Sequence, residues 1–206
     1  MIRGRYVIGL TGSIGMGKSV AAGMLRRAGV PVFDADAEVH RLMGKGGRAV
    51  PLIEAAFPGV VVDGAVDRPK LGARVFGDAA ALKRLERILH PMVGQGERAF
   101  LARAARLRRP IVARDVPLLF ETGGDRRCDM TLVVSAPAHI QRHRVLARPG
   151  MTEERLAQVR SKQMPDARKR KLADRTILSG TGKRDAWVQI RKALRGARRD
   201  RAGRHG

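Results

Sequence analysis

Near the start of the chain, short apolar runs closed by glycine alternate with stretches whose apolar residues recur at helical spacing. Residues 6–10, Tyr-Val-Ile-Gly-Leu, form a continuous apolar run of strand length, which predicts a buried strand. Residues 17–28 predict a helix stopped by Gly29, since glycine suits the left-handed position after a helix end. Residues 30–33 predict a second short strand, and 35–43 a second helix. A strand, a glycine-rich turn, a helix and another strand make a βαβ unit, which crosses over right-handed into a parallel sheet.

The middle of the chain reads differently. Residues 48–57, 70–76, 78–89 and 92–106 predict four helices, with 59–67 as a loop. Asp78 suits an N-cap, and Pro91 the first turn of the helix that follows. Four helices with no intervening strand predict a helical substrate-binding insertion of about 35–109 within an α/β core. The core resumes with a strand at 111–116, a helix or loop at 120–127 and a strand at 130–134. Helices at 138–147 and 152–162 flank the Arg148-Pro149-Gly150 break, and a strand at 176–178 and a helix at 185–195 close the pattern. The expected organisation is one α/β domain with core segments 1–34, 110–137 and 173–196, a helical lid of about 138–172 and a basic tail, 197–206.

Composition narrows the classes. With 44% hydrophobic residues the chain can build a core, so disorder throughout is excluded. No run approaches the roughly 20 apolar residues a membrane span needs. Arg3 and Arg5 precede an apolar run too short for a signal peptide. The lone Cys128 excludes an internal disulfide and suits a reducing compartment. A soluble cytoplasmic protein with no membrane partner is expected. Lys plus Arg number 42 against 19 Asp plus Glu, a net charge of +23, and Arg outnumbers Lys 33 to 9. Excess of this size favours anionic partners such as nucleic acid. Yet the arginines are spread through nearly every segment, with a concentration only at Arg191, Lys192, Arg195, Arg198, Arg199, Arg201 and Arg204. Aromatic residues make up 3% of the chain, and only Trp187 lies near that concentration. Without stacking side chains, a dedicated nucleic-acid module is disfavoured, and the bias reads as solvated surface.

Residues 12–19, Gly-Ser-Ile-Gly-Met-Gly-Lys-Ser, match G-x-x-x-x-G-K-[ST] in full, between an expected strand and an expected helix. Gly12, Gly15 and Gly17 let backbone N–H groups turn inward toward phosphates, with Ser13, Ile14 and Met16 between them in the ATP-binding turn. The helix that follows adds its positive end. Lys18 supplies a cation to the β- and γ-phosphates, and the Ser19 hydroxyl completes a Mg²⁺ shell. The chain is therefore expected to bind a nucleoside triphosphate together with Mg²⁺. A guanine-reading N-K-x-D segment is missing, motor ATPases are usually longer, and the compact, arginine-rich pattern points to a kinase. Asp34 follows the second strand, at the sheet edge that faces ligands in open parallel sheets. There it can orient an acceptor hydroxyl and take its proton, or simply cap the helix that follows, as Asp36 can equally.

Together these segments resemble the dephospho-CoA kinase family. The resemblance runs from Val7 to about Asp174. It rests on residues 9–15 leading into Gly17-Lys18-Ser19, Asp34-Ala35-Asp36 with Arg41, Leu71-Gly72, Val75-Phe76 and Leu89-His90-Pro91. It continues with residues 115–121 (Asp-Val-Pro-Leu-Leu-Phe-Glu), Arg144, Arg148, Gln163-Met164 and Ala173-Asp174. It implies a P-loop kinase core with a parallel sheet flanked by helices, a helical substrate subdomain and a mobile lid. It also implies ATP-dependent phosphorylation of the ribose 3′-hydroxyl of dephospho-CoA, a small-molecule partner. Carried over, Asp34 is the catalytic carboxylate, Lys18 and Ser19 hold triphosphate and metal, and Arg144 and Arg148 are lid arginines, with Arg148 also on ATP. Arginine suits that role because its planar fork binds phosphate oxygens bidentately and can stack on adenine. His90 can donate to the substrate or satisfy a backbone carbonyl. Asp115 can orient metal through water or form an internal salt bridge. Leu118, Leu119 and Phe120 read as packing that can wall the acceptor pocket, and Pro117 and Leu118 are carried over as substrate contacts. Ser13 stands where the family often has Gly, and Ser179 where it often has Asn. The rival readings are another small-molecule P-loop kinase and, further off, a nucleic-acid-binding NTPase. Oligomeric state is not assigned by the sequence.

Overall fold

The structure, a computed structural model, describes residues 5–203. Arg3 and Arg204, weighed above, lie outside the described residues, as do the ends of the expected core and tail segments. The chain divides into two compact units, one of Met1–Phe33 with Ala104–Gly206 and one of Asp34–Arg103.

The first unit is built on a five-stranded sheet. Strands β1 (Tyr6–Thr11), β2 (Val32–Asp34), β5 (Ile111–Asp115), β6 (Met130–Ser135) and β7 (Arg175–Leu178) take the order β2-β5-β1-β6-β7. β1 pairs in parallel with β5 on one side and β6 on the other, and β6 pairs in parallel with β7. All six residues of β1, all five of β5 and all six of β6 are buried. That explains the largely apolar runs of β1 and β6 and the apolar start of β5, because parallel strands covered on both faces have no solvent side to alternate toward; β5 ends in the buried Arg114 and Asp115. On one face lie α1 (Lys18–Arg27) and α9 (Lys183–Gly203), which contribute Ala21, Ala22, Leu25, Ala186, Ile190, Ala193, Leu194 and Ala197 to a core with Ile8, Leu10, Leu132 and Ile177. The α6 (Ala138–Leu146), α7 (Glu153–Ser161) and α8 (Asp166–Leu172) helices fall in the segment read as a lid.

The closing helix extends beyond the expected 185–195. Ala197 is fully buried, and the Tyr6 hydroxyl donates to Asp200 Oδ2 at 3.0 Å, so the basic segment as far as Gly203 is a continuation of a core helix. Its buried residues recur at spacings of three and four, while Arg191, Lys192, Arg195, Arg198 and Arg199 are exposed. Asp174 braces the junction into β7, with Oδ2 accepting from both the Thr131 amide and hydroxyl at 2.7 Å.

The second unit has its own core, in which Leu42, Met43, Ile53, Phe57, Val60, Leu71 and Leu89 are buried together. It contains α2 (Ala35–Met43), α3 (Val50–Ala56), α4 (Arg68–Val75) and the first part of α5 (Ala79–Arg106). Two expectations change here. The 59–67 stretch is not a plain loop: β3 (Val61–Val62) and β4 (Ala65–Val66) pair as a short antiparallel hairpin. The two helices expected at 78–89 and 92–106 are one 28-residue helix with Pro91 inside it. Pro91 removes one backbone donor, but the apolar stripe through Ala81, Leu85, Ile88, Leu89, Met92 and Val93 runs unbroken past it, so packing carries the helix on.

The two faces of α9 should respond oppositely to mutation. Ile190→Ala should lower the unfolding free energy by about 2–5 kcal/mol in denaturant melts, whereas Arg198→Ala should stay within about 0.5 kcal/mol.

Candidate active site

The centre of the first unit is the turn between β1 and α1. Gly17 caps the N-terminus of α1 in the left-handed conformation, at φ 89°. Gly15 is also left-handed, and a Cβ there would lie 2.5 Å from Val145 Cγ2 of α6, so helix packing as well as dihedral preference excludes a side chain. Among the described residues, the N–H groups of Gly15, Gly17, Lys18 and Ser19 have no protein acceptor. Four such donors at a helix N-terminus are an anion site. The Met16 side chain turns away into the core, where its sulfur accepts from the Ala136 amide.

Two glutamines grip this turn at Ile14. Gln141 Nε2 of α6 donates to the Ile14 carbonyl at 2.8 Å, and the Ile14 amide donates to Gln163 Oε1 at 3.1 Å. Ile14 thus shapes the loop with both backbone groups already engaged. Ser13 is buried, and with Gln141, Arg160, Gln163 and Asp166 it lines a cavity of about 420 Å³ beside the turn. Ser19 is exposed in the first turn of α1.

Lys18 Nζ lies 2.6 Å from Asp115 Oδ1, with the lysine 16% exposed and the aspartate 2%. The reason is topological: Leu10 pairs with Asp115 across β1 and β5, so the carboxylate ends the strand next to the turn. The internal salt bridge read as one alternative for Asp115 is present.

Arg144 is brought to the same place. Its Nη1 donates to Ser179 Oγ at 2.9 Å and its Nη2 to the Ser179 carbonyl at 2.8 Å, while Ser179 Oγ donates to the Met16 carbonyl at 2.6 Å. A Cβ on Gly17 would stand 3.1 Å from Ser179 Oγ and 3.6 Å from Arg144 Nη1. Ser179, flagged in the sequence only as a departure, is therefore the link between Arg144 and the phosphate turn. Arg148 follows α6 as an exposed side chain with no ion pair among the described residues.

The 117–121 segment, carried over from the resemblance as a substrate contact, is anchored by partners from β1 and α8. The Pro117 carbonyl accepts from Thr11 Oγ1 at 3.0 Å and from Lys169 Nζ at 2.9 Å. Leu118 is exposed and Leu119 fully buried, so these neighbours divide between surface and core. Glu121 Oε1 accepts from Lys169 Nζ at 2.9 Å and from the Met164 amide at 2.8 Å. Burial pushes the Glu121 carboxyl up, but those hydrogen bonds outweigh it and hold the group below the ordinary carboxylate range.

The remaining sequence candidates lie in the second unit. Asp34 ends β2 and caps α2, its Oδ1 accepting from the Ala37 amide at 2.9 Å. The capping role is thus present. His90 is exposed within α5, not at a joint between helices. Sequence reasoning assigned no role to Gln141, Gln163, Arg160 or Lys169. Gln163 already stood in the Gln163-Met164 motif of the resemblance, whereas a glutamine in α6, one arginine among many and a lysine among arginines are ordinary surface residues until tertiary contacts engage them.

A parallel sheet in this strand order, with a glycine turn opening into a helix and a lysine at its head held by a strand-end carboxylate, defines a P-loop kinase. Sequence comparison makes the class specific. The dephospho-CoA kinase family model matches residues 6–185. The chain is 66% identical to the dephospho-CoA kinase of Paramagnetospirillum magneticum over 80% of this chain and 77% of that one. It is 60% identical to that of Mesorhizobium japonicum over 89% and 92%. Among solved structures, TT1252 from Thermus thermophilus superimposes with a TM-score of 0.83 at 36% identity, covering 94% of this chain and 98% of that one. The chain belongs to the dephospho-CoA kinase family.

The depressed Glu121 carboxyl predicts an acid-sensitive contribution to stability. Because its folded value is lowered, that contribution is complete above the unfolded value of about 4.3 and is lost as pH falls through the folded value. In pH-dependent denaturant melts, the stability gap between wild type and Glu121→Gln should be constant near neutrality and close as pH falls below that range.

Proposed function

We propose that this chain transfers the γ-phosphoryl group of ATP to the ribose 3′-hydroxyl of dephospho-CoA, giving coenzyme A and ADP, the last step of coenzyme A biosynthesis. The observation that carries the reading is the open set of N–H donors of Gly15, Gly17, Lys18 and Ser19, among the described residues, in a chain that matches the family over 6–185. The donors cradle the β- and γ-phosphates, and Lys18 turns its ammonium from Asp115 toward them. Arg144, fixed by two hydrogen bonds to Ser179, presents a positioned guanidinium, and the exposed Arg148 supplies a second. Gly12, Ser13, Ile14 and Met16 hold the shape of the cradle.

Asp34 orients the acceptor hydroxyl and receives its proton. The 3′-oxygen bonds to the γ-phosphorus as the bond to the β–γ bridging oxygen breaks, and ADP leaves with that electron pair. Positioning and charge stabilisation do nearly all of this work. His90, Pro117 and Leu118 contact the acceptor, and closure of the 138–172 segment excludes water that would otherwise hydrolyse ATP.

The residues also suit Mg²⁺. Ser19 offers a hydroxyl and Asp115 a carboxylate beside the cradle, both hard oxygen donors, and among the described residues no group of three or more His, Cys, Asp or Glu forms an all-protein cage. That donor set fits an ion taking most of its ligands from phosphates and water, where it would neutralise charge on the transferring group. Among the described residues no helix is long and apolar enough to cross a membrane. We place the enzyme in the cytoplasm, where a lone Cys128 stays reduced.

The test is ADP release from MgATP with dephospho-CoA, AMP, CMP or no acceptor, with mass analysis of the product. A gain of one phosphate on dephospho-CoA alone is expected; transfer to another acceptor only would replace this substrate. Asp34→Asn should lower kcat by about 10²–10⁴-fold with ATP affinity nearly unchanged, and unaltered turnover would remove Asp34 from the mechanism.

A further inference from the structure

Among the described residues, Lys169 is the largest fully buried side chain, with none of its surface exposed. An ammonium in that position loses its hydration, and a methionine or leucine would fill the space without that penalty. A buried ion pair adds little net stability, so its value lies in the directions it imposes.

Those directions are specific. From α8, Lys169 Nζ reaches the Pro117 carbonyl and Glu121 Oε1, each at 2.9 Å. The Pro117 carbonyl also accepts from Thr11, the last residue of β1. Glu121 Oε1 also accepts from the Met164 amide, and its neighbour Gln163 receives the Ile14 amide. Thr11 and Ile14 flank the leading end of the phosphate turn. The contacts therefore close a ring: Thr11, Pro117, Lys169, Glu121, Met164 with Gln163, Ile14, and back through residues 12–13. One ammonium fastens the phosphate turn, the 117–121 segment and the base of α8 together, all within the first unit. Glu121 Oε2 is buried without a hydrogen-bond partner, so Oε1 alone holds that carboxylate in the ring.

We propose that Lys169, through Glu121 and the Pro117 carbonyl, is a positioning residue that holds the phosphate turn and the 117–121 segment in register for transfer. It touches neither reacting group. The proposal rests on the kinase reading above, and one of its readouts does not depend on the acceptor.

The experiment compares wild type with Lys169→Met, Glu121→Gln and the double variant, which leaves no buried charge unpaired. Amide hydrogen exchange is followed at Ile14 and Met164, with Leu132, Val133 and Val134 of β6 as internal controls, beside steady-state kinetics. In Lys169→Met and in the double variant, the Ile14 and Met164 amides should exchange about tenfold faster or more, with β6 unchanged. The kcat should fall about tenfold or more while the KM for MgATP stays within about threefold, because the cradle survives but its alignment does not. Unchanged exchange at Ile14 and Met164 in the double variant overturns the proposal, as does wild-type kcat in that variant. Faster exchange spread equally over β6 overturns it too, since the pair would then be a folding requirement. If wild type transfers nothing to dephospho-CoA, the kinase reading fails, and the exchange data still decide whether Lys169 holds the ring.

Discussion

A phosphate-binding turn must leave backbone N–H groups unpaired, and an unpaired donor is a liability that the rest of the fold has to support. The turn between β1 and α1 does not keep its shape by local preference alone. Gly12 lies so close to the Val134 carbonyl that a Cβ would stand 2.7 Å from its oxygen, and Gly15 and Gly17 are pressed by Val145 and Ser179 in the same way. Ile14 is gripped at both its amide and its carbonyl. The loop is thus a cast taken from β6, α6 and the segments after α7 and β7, and the donors that remain open are the ones the cast does not touch.

Charge is sorted by burial. A net charge of +23 is tolerable because most cations face water, as along the outer side of α9, where screening makes each one nearly neutral in energy. A few cations escape that fate, among them Arg114, which is buried in β5. Lys18 is held at 16% exposure against a buried carboxylate, Arg144 is half-buried against Ser179, and Lys169 is wholly enclosed. These last three lie on or against the phosphate turn or its supports. The number of arginines therefore says little about function, and a buried cation says something only through its partners: Lys18, Arg144 and Lys169 bear on the phosphate turn, whereas Arg114 donates to the Gly124 carbonyl.

Different parts of the molecule were legible to different degrees. The strands β1, β5 and β6 could be read because a strand covered on both faces writes itself as an apolar run. The α5 helix could not be divided correctly, since proline is a local signal and the stripe that overrides it depends on a core formed with α2, α3 and α4. The β3–β4 hairpin carries a local signal that reading 59–67 as a loop missed: Asp63-Gly64, both at positive φ, is the dipeptide a two-residue hairpin turn favours. The far half of α9 looked like a basic tail because its buried residues there are small alanines among arginines. Ser179 read as a simple departure from the family pattern, and only its position against Met16 and Arg144 reveals its work.

The sequence by itself determined the phosphate turn, because every requirement there is local: glycines for left-handed backbone, a lysine and a serine at fixed offsets, a strand before and a helix after. It also determined the family, through the order and spacing of short motifs along most of the chain. Which side chains support the turn was decided only by tertiary structure. Gln141, Gln163, Ser179, Glu121 and Lys169 come from segments more than a hundred residues away from it, and a polar side chain acquires a role only when burial removes water as its alternative partner.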